Sequence, residues 1–243
     1  MNISINTPSY KRPDEVRTLS YLPMCRVWVD CKEYDAYKAS YPEADIVSCP
    51  EGVQGNVSRV RNYILKMEFE RGMDAVVIVD DDLTCIRRFE YDDLTQFGYE
   101  PHIITAEEFM PFIEKYSIIA NDFGAKLWGV NQNCDPMAYR HNTPFSTRSV
   151  ILGPFGCFLK GNRCWYDESL PLKEDYDMSL QQLNLERVVL RVNAYHYICK
   201  QSVNKGGCAS YRNRQREEEQ LEALRHKWGG QLLRRIQRIK EEA

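Results

Sequence analysis

The sequence predicts an α/β fold: a mixed, mainly parallel sheet flanked by helices, with further helices at the C-terminus. Three observations carry this. Residues 75–79 (AVVIV) form an unbroken apolar run, as in a strand buried on both faces of a parallel sheet. Strand-like and helix-like segments alternate through the first third of the chain. Val57, Val60, Ile64 and Met67 fall on one helical face, between a capping Asn56 and a terminating Gly72.

Taken in order, residues 2–6 alternate and lead into Thr7-Pro8-Ser9-Tyr10-Lys11-Arg12-Pro13, so they predict a strand feeding a polar loop. Residues 14–22 predict a helix capped by Asp14. Residues 25–29 and 45–47 predict two more strands, and 50–55 a loop. Thr105 and Glu108 have the spacing of a capping box, although Pro111 falls inside the helix that follows. Residues 126–131 predict a strand, 133–147 a long loop, and 149–159 an interrupted strand or turn. Residues 174–185 predict a helix with Met178, Leu180 and Leu183 inward. Residues 187–193 predict a strand. Residues 214–228 predict an amphipathic helix with Leu221, Leu224 and Trp228 in register. Gly229-Gly230 breaks it, and a short basic helix through Leu232, Leu233, Ile236 and Ile239 closes the chain. The expected organisation is a catalytic domain over 1–211 with a helical extension, 212–243, packed on it.

At 243 residues, with 43% hydrophobic and 12% aromatic content, the chain buries a substantial core, which excludes global disorder. Met1 to Tyr10 lacks an apolar signal-peptide core, and no run approaches the ~18 apolar residues of a spanning helix. The nine cysteines are odd in number and include no CxxC, which disfavours a disulfide framework or zinc ribbon. These features predict a cytoplasmic protein with free thiols and no membrane partner. The formal net charge of -3 argues against simple coating of a polyanion, but it conceals segregation. Residues 80–122 hold eleven acids and three cations, whereas 187–216 hold seven cations and no acid.

Four constellations bear chemistry. Asp80-Asp81-Asp82 follows the buried run directly, where ligands bind beyond the carboxyl ends of strands in open α/β sheets. Mutually repelling carboxylates there suit a hard divalent cation, Mn²⁺ or Mg²⁺; the competing reading is a solvated turn that caps a helix. Helical geometry places Arg61 on the flank of its apolar stripe and Arg59 well away from it. A cation facing the core requires an anionic partner, the Asp triplet or a ligand phosphate, unless it snorkels to solvent. Glu174-Asp175 opens a helix, as a dipole-matched pair or as a general base. His196, between Tyr195 and Tyr197, is a core imidazole or a metal ligand. Beyond it, Lys200, Lys205 and Gly206-Gly207 form a cationic stretch suited to a diphosphate or a nucleic-acid backbone.

Together these residues resemble the GT-A (Rossmann-like) class of nucleotide-sugar glycosyltransferases, over roughly residues 2–211. In that class the first strand and loop, here 3–12 with Thr7, Ser9, Tyr10 and Arg12, receive the nucleobase. Asp80-Asp81-Asp82 resembles the DxD motif, which implies Asp80 and Asp82 as metal and diphosphate ligands. Gly153 to Phe158 resembles the glycine-rich acceptor segment, and Glu174-Asp175 the xED motif, with Asp175 the base. His196 is similar to a C-terminal metal-binding histidine. Lys173-Glu174-Asp175-Tyr176-Asp177 and Asn204-Lys205-Gly206-Gly207-Cys208 further resemble the phage TET-associated glycosyltransferases. That resemblance implies a UDP-sugar donor and a DNA acceptor carrying a hydroxymethylated pyrimidine, 5-hydroxymethylcytosine, in the host cytoplasm.

The expected mechanism is displacement of UDP by an acceptor hydroxyl that Asp175 deprotonates, with Arg61, Lys200 or Lys205 helping the diphosphate depart. Trp128, Tyr139 or Phe155 would hold an extruded base, where core packing does not claim them. Glycan, lipid, protein and RNA acceptors remain open. A nucleotidyltransferase would need a glycine-rich loop that Thr7–Arg12 lacks. A non-catalytic DNA-binding protein would use the cations of 187–216 and the basic C-terminal helix.

Overall fold

The computed structural model describes residues 1–91, 99–199 and 212–229. Four parallel strands build the first half of one sheet: β1 (Ile3–Pro8), β2 (Arg26–Asp30), β3 (Ile46–Cys49) and β4 (Ala75–Val79). They lie in the order β3-β2-β1-β4. The sheet continues through β9 (Phe155–Leu159), β7 (Leu127–Asn131), β10 (Leu190–Cys199), β5 (Leu83–Tyr91) and β6 (Tyr99–Ile103). Beyond β4 the pairings turn antiparallel, except that β7 and β10 run parallel. The short β8 (Phe145–Ser146) pairs with β10.

The helices are α1 (Thr18–Tyr21), α2 (Tyr34–Ser40), α3 (Val57–Glu70), α4 (Ala106–Asp122), α5 (Glu174–Leu185) and α6 (Arg214–Trp228). They cover both sheet faces, and β4 shows why its run is apolar throughout. Val77 and Val79 join Phe109, Phe112 and Ile113 of α4, while Val76 and Ile78 join Val60, Ile64 and Leu65 of α3. Alternation sends successive side chains to opposite faces, so a strand between two helical layers has no solvent side. Asn56 caps α3 by accepting from Arg59 N at 3.2 Å, and Gly72 follows with φ 84°. Thr105 and Glu108 form the capping box of α4, which tolerates Pro111.

Several elements depart from the sequence reading. Asp14 caps no helix; it accepts from Ser40 Oγ, and α1 begins only at Thr18. The cause is tertiary, because Thr18 is bound to the chain at Asp80 and Asp81. Helix α2 and the hairpin β5–β6 have no counterpart in the sequence reading, and Asp82 leads into a strand rather than a helix. Strand β10 runs six residues beyond its predicted end at Asn193, held there by β5 and, at His196, by β7. Trp128 and Phe155 lie in the core, 0% and 1% exposed, so neither is placed to stack on an extruded base. Gly230 and the predicted helix after it lie outside the described residues.

Strand order places the first half's switch point between β1 and β4. The connections leave β1 toward β3 and return through α3 to its other side. A crevice therefore opens beyond the carboxyl ends of these two strands.

Packing behind that crevice is tight at Gly129 on β7. A Cβ there would lie 2.5 Å from Ile151 Cγ2 and 3.1 Å from the Phe155 carbonyl oxygen. Gly129→Ala is expected to cost about 1–3 kcal/mol in urea unfolding, and less than that when made in an Ile151→Ala background, which lacks the clashing Cγ2.

Candidate active site

The crevice is closed by side chains from both strands. Ser9 Oγ, beyond β1, donates to Asp81 Oδ2 at 2.5 Å, and Arg12 Nε lies 3.1 Å from the same oxygen. Tyr37 of α2 holds this loop: its hydroxyl lies 2.9 Å from Ser9 Oγ and accepts from Arg12 N at 3.2 Å. Thr18 braces the triplet from behind. Its Oγ1 donates to the Asp80 carbonyl at 2.6 Å and accepts from Leu83 N at 3.1 Å, and its own N–H donates to the Asp81 carbonyl. The Asp81 carboxyl, 3% exposed, is pushed up to about 7 by burial, against the pull of Arg12. Asp82 rises to about 6, by burial and then by the charge of Asp80.

Arg61 ties this half of the site to the other. It is 2% exposed, and its guanidinium spans two carboxylates. Nη2 donates to Asp80 Oδ1 at 2.7 Å and to the Gly153 carbonyl at 3.2 Å, and Nη1 donates to Glu174 Oε1 at 3.1 Å. The Tyr166 ring lies beneath, 5.7 Å from Cζ. A Cβ on Gly153 would meet Nη2 at 3.0 Å, so glycine permits the approach. Arg61 thus takes the anionic-partner reading, and Arg59 points outward to Glu168 as its helical angle requires. Buried behind Asp80, Arg61 positions carboxylates and is not placed to face a diphosphate directly.

Asp175, in the first turn of α5, accepts from Tyr176 N at 2.8 Å and Gly153 N at 3.3 Å. Its other side borders a small cavity lined by Ile78, Ile151, Tyr166 and Met178. Burial raises its pKa, and the two backbone donors hold that rise back. Glu174 is also raised, by burial and then by Asp175.

The remaining predicted site residues are placed as follows. Thr7 is fully buried on β1, and its Oγ1 has no partner among the described residues. Tyr10 lines the same loop, beneath Lys11 Nζ at 5.0 Å. His196 is not brought to the triplet. It lies inside β10 rather than beyond it, and its ring packs on Phe89 with centroids 4.6 Å apart. Burial, aided by Arg87, pushes its pKa down to about 4, and no carboxylate stands among the groups that shift it. Lys200, Lys205 and the 204–208 loop lie outside the described residues. Of the other cations in 187–216, Arg212 and Arg214 pair with Glu217 and Glu218. Both of these arginines are therefore paired with acids of α6.

Among the described residues no group of three or more His, Cys, Asp or Glu is gathered to hold a metal. Asp80 keeps one oxygen on Arg61 and is 34% exposed, beside Asp82. Hard divalent cations bind through one or two carboxylates together with substrate phosphates. This donor set fits such a cation with a diphosphate completing the shell. Sequence reasoning missed Thr18, Tyr37 and Tyr166, which meet the site only through tertiary contacts and carry no local signal.

Residues 3–207 match the TET-Associated Glycosyltransferase family. The chain belongs to that family. This TET-associated glycosyltransferase accordingly has a sugar nucleotide as the donor its family implies. No curated protein matches its sequence. Among solved structures it is similar to a protein assigned as a nucleotide-diphospho-sugar transferase from Desulfovibrio desulfuricans G20, at 12% identity and a TM-score of 0.45, covering 79% of this chain and 80% of that one. It is also similar to a mannose-1-phosphate geranyltransferase from Thermus thermophilus, at 7% identity and a TM-score of 0.43, covering 82% and 75%. A197 from STIV matches at 10% identity and a TM-score of 0.40, covering 82% and 85%. The family match carries the assignment. No helix among the described residues is long and apolar enough to cross a membrane.

The raised pKa of Asp81 has a stability consequence. The folded chain holds this proton up to about pH 7, whereas an unfolded Asp releases it near its ordinary 3.8. The associated stability is full below about pH 4 and is lost as pH rises through 7. Asp81→Asn cannot ionise. Its stability relative to the unmodified chain is expected to rise by roughly 3–4 kcal/mol from pH 4 to 8, read from urea midpoints.

Proposed function

We propose that this glycosyltransferase moves a sugar from a UDP-sugar to the hydroxymethyl group of 5-hydroxymethylcytosine in DNA. The observation that carries the reading is the Arg61 bridge. It places Asp80, at the end of β4, beside the α5 turn that presents Asp175. This proximity supports reading Asp80 as a donor-side carboxylate and Asp175 as an acceptor-side one.

In this reading Tyr10 and Arg12 border the place that receives the uridine, with Thr7 and Ser9 buried behind them, and Ser9 and Arg12 fix Asp81 at its floor. Asp80 and Asp82 would hold Mn²⁺ or Mg²⁺ against the diphosphate. When bound, the cation neutralises charge that develops on the leaving group. Asp175 takes the proton of the acceptor hydroxyl as its oxygen bonds to the anomeric carbon and the bond from that carbon to the diphosphate oxygen breaks. Burial raises the pKa of Asp175, which makes it a stronger base than an exposed carboxylate, and its backbone donors limit that rise. Glu174, occupied by Arg61, serves as an anchor rather than a second base. A DNA acceptor presents its base to this crevice only once the base has left the stack, at a cost of a few kcal/mol. The domain reading goes with this one: residues 1–211 catalyse, and 212–243 pack on them.

The test is nucleoside mass spectrometry after incubation with mixed UDP-sugars, Mn²⁺ and hydroxymethylcytosine DNA. The expected product is a hexosylated nucleoside, with UDP release that EDTA abolishes. Asp175→Asn is expected to bind UDP normally and to lose at least about 100-fold in transfer. Modification of a glycan, lipid or protein in place of the nucleoside would reassign the acceptor. UDP release unchanged by EDTA would remove the metal.

A further inference from the structure

Helix α6 lies beyond the residues matched to the family, and it docks on the segment that carries Asp175. Leu224, 1% exposed, packs on Leu170 and Leu180. Polar ties surround this contact. Gln220 Nε2 donates to the Ser169 carbonyl at 2.9 Å, and Lys173, the residue before α5, pairs with Glu217. The strongest ties converge on Asp177. This carboxylate is 0% exposed, and α6 supplies both a cation and a donor to it. Lys227 Nζ lies 2.9 Å from Asp177 Oδ1, and Trp228 Nε1 donates to the same oxygen at 2.7 Å. Lys227 also reaches Asp167 Oδ2 at 2.7 Å.

Asp175 and Asp177 are two positions apart, about 200° around the helix. The first turn of α5 is thus gripped from opposite sides: by Gly153 N on Asp175, and by Lys227 and Trp228 on Asp177. A buried carboxylate without its cation is strongly unfavourable. Without α6 this turn would have to rotate or fray to hydrate Asp177, and Asp175 would move with it. We infer that α6 sets the orientation of Asp175, and that Lys227 and Trp228 are positioning residues for deprotonation of the acceptor. The inference rests on Asp175 being the base.

The experiment uses the full chain carrying Lys227→Met and Trp228→Phe together. UDP affinity and stoichiometry are measured by calorimetry. Turnover is measured on hydroxymethylcytosine DNA and, in parallel, as UDP-sugar hydrolysis with water as acceptor. Amide exchange of residues 170–180 is followed by mass spectrometry. We expect kcat per UDP-binding site to fall about tenfold or more, since small misplacements at a reacting centre are costly. UDP affinity should stay within about twofold, and exchange should quicken in 170–180 while β4 stays protected. Lys227→Arg should keep most of the turnover that Lys227→Met loses. Unchanged kcat per site, or kcat and UDP affinity falling together, would overturn the positioning role, as would unchanged exchange in 170–180. Asp175→Asn separates the two ideas: if it turns over normally, the base assignment fails whatever α6 does.

Discussion

The site depends on one buried cation. Arg61 sits 2% exposed on α3, and a guanidinium removed from water costs several kcal/mol unless its charge and donors are matched. Three segments supply the match: the chain after β4, the turn at Gly153 and the start of α5. Losing Asp80 or Glu174 leaves the buried charge only partly compensated. The same demand explains two local choices. Gly153 has no Cβ because the guanidinium needs the space. Glu174 is turned inward to Arg61, while its neighbour Asp175 accepts from Tyr176 N and Gly153 N.

A second constraint is the mutual repulsion of the acids. Asp80, Asp81 and Asp82 follow one another, so their charges cannot be separated. The fold gives each a different environment: Asp80 has Arg61, Asp81 has Ser9 and Arg12, and Asp82 rises toward neutrality. The acid-rich stretch of 80–122 does not act as one surface. Glu107 and Glu108 open α4, and Glu90 pairs with Arg88 and His102. Among the described residues several of these charges are matched locally, Glu90 by Arg88 and Arg212 and Arg214 by Glu217 and Glu218.

What the sequence made legible follows the range of the forces involved. α3, β4, α5 and α6 came out at or near their residues because each is decided by its own periodicity and caps. Asn56, Thr105 and Gly72 are local signals. Arg61 was legible as a cation facing the core, and the structure chose its partner. The misses are tertiary. Asp14 has a capping side chain, but the helix begins where Thr18 is captured by Asp80, 62 residues away. His196 fell outside the predicted strand because β10 is extended by pairing with β5 and β7, not by its own pattern. β5 and β6 were missed because Arg87, Arg88 and the acids beside them interrupt the apolar alternation.

The adjacency of β9 and β4 carries a consequence for how the molecule is made. Val79 waits for Phe155 across the sheet, and Arg61 for Glu174, 113 residues downstream. During synthesis the first four strands emerge well before either partner exists. Until then β4 has an open edge and Arg61 remains hydrated. Closing such distant pairs is slow, because chain entropy is lost before the contacts form. The crevice at the β1–β4 switch point is thus among the last parts of the protein to form, and a nascent chain that ends before β9 leaves the β4 edge bare and in need of protection.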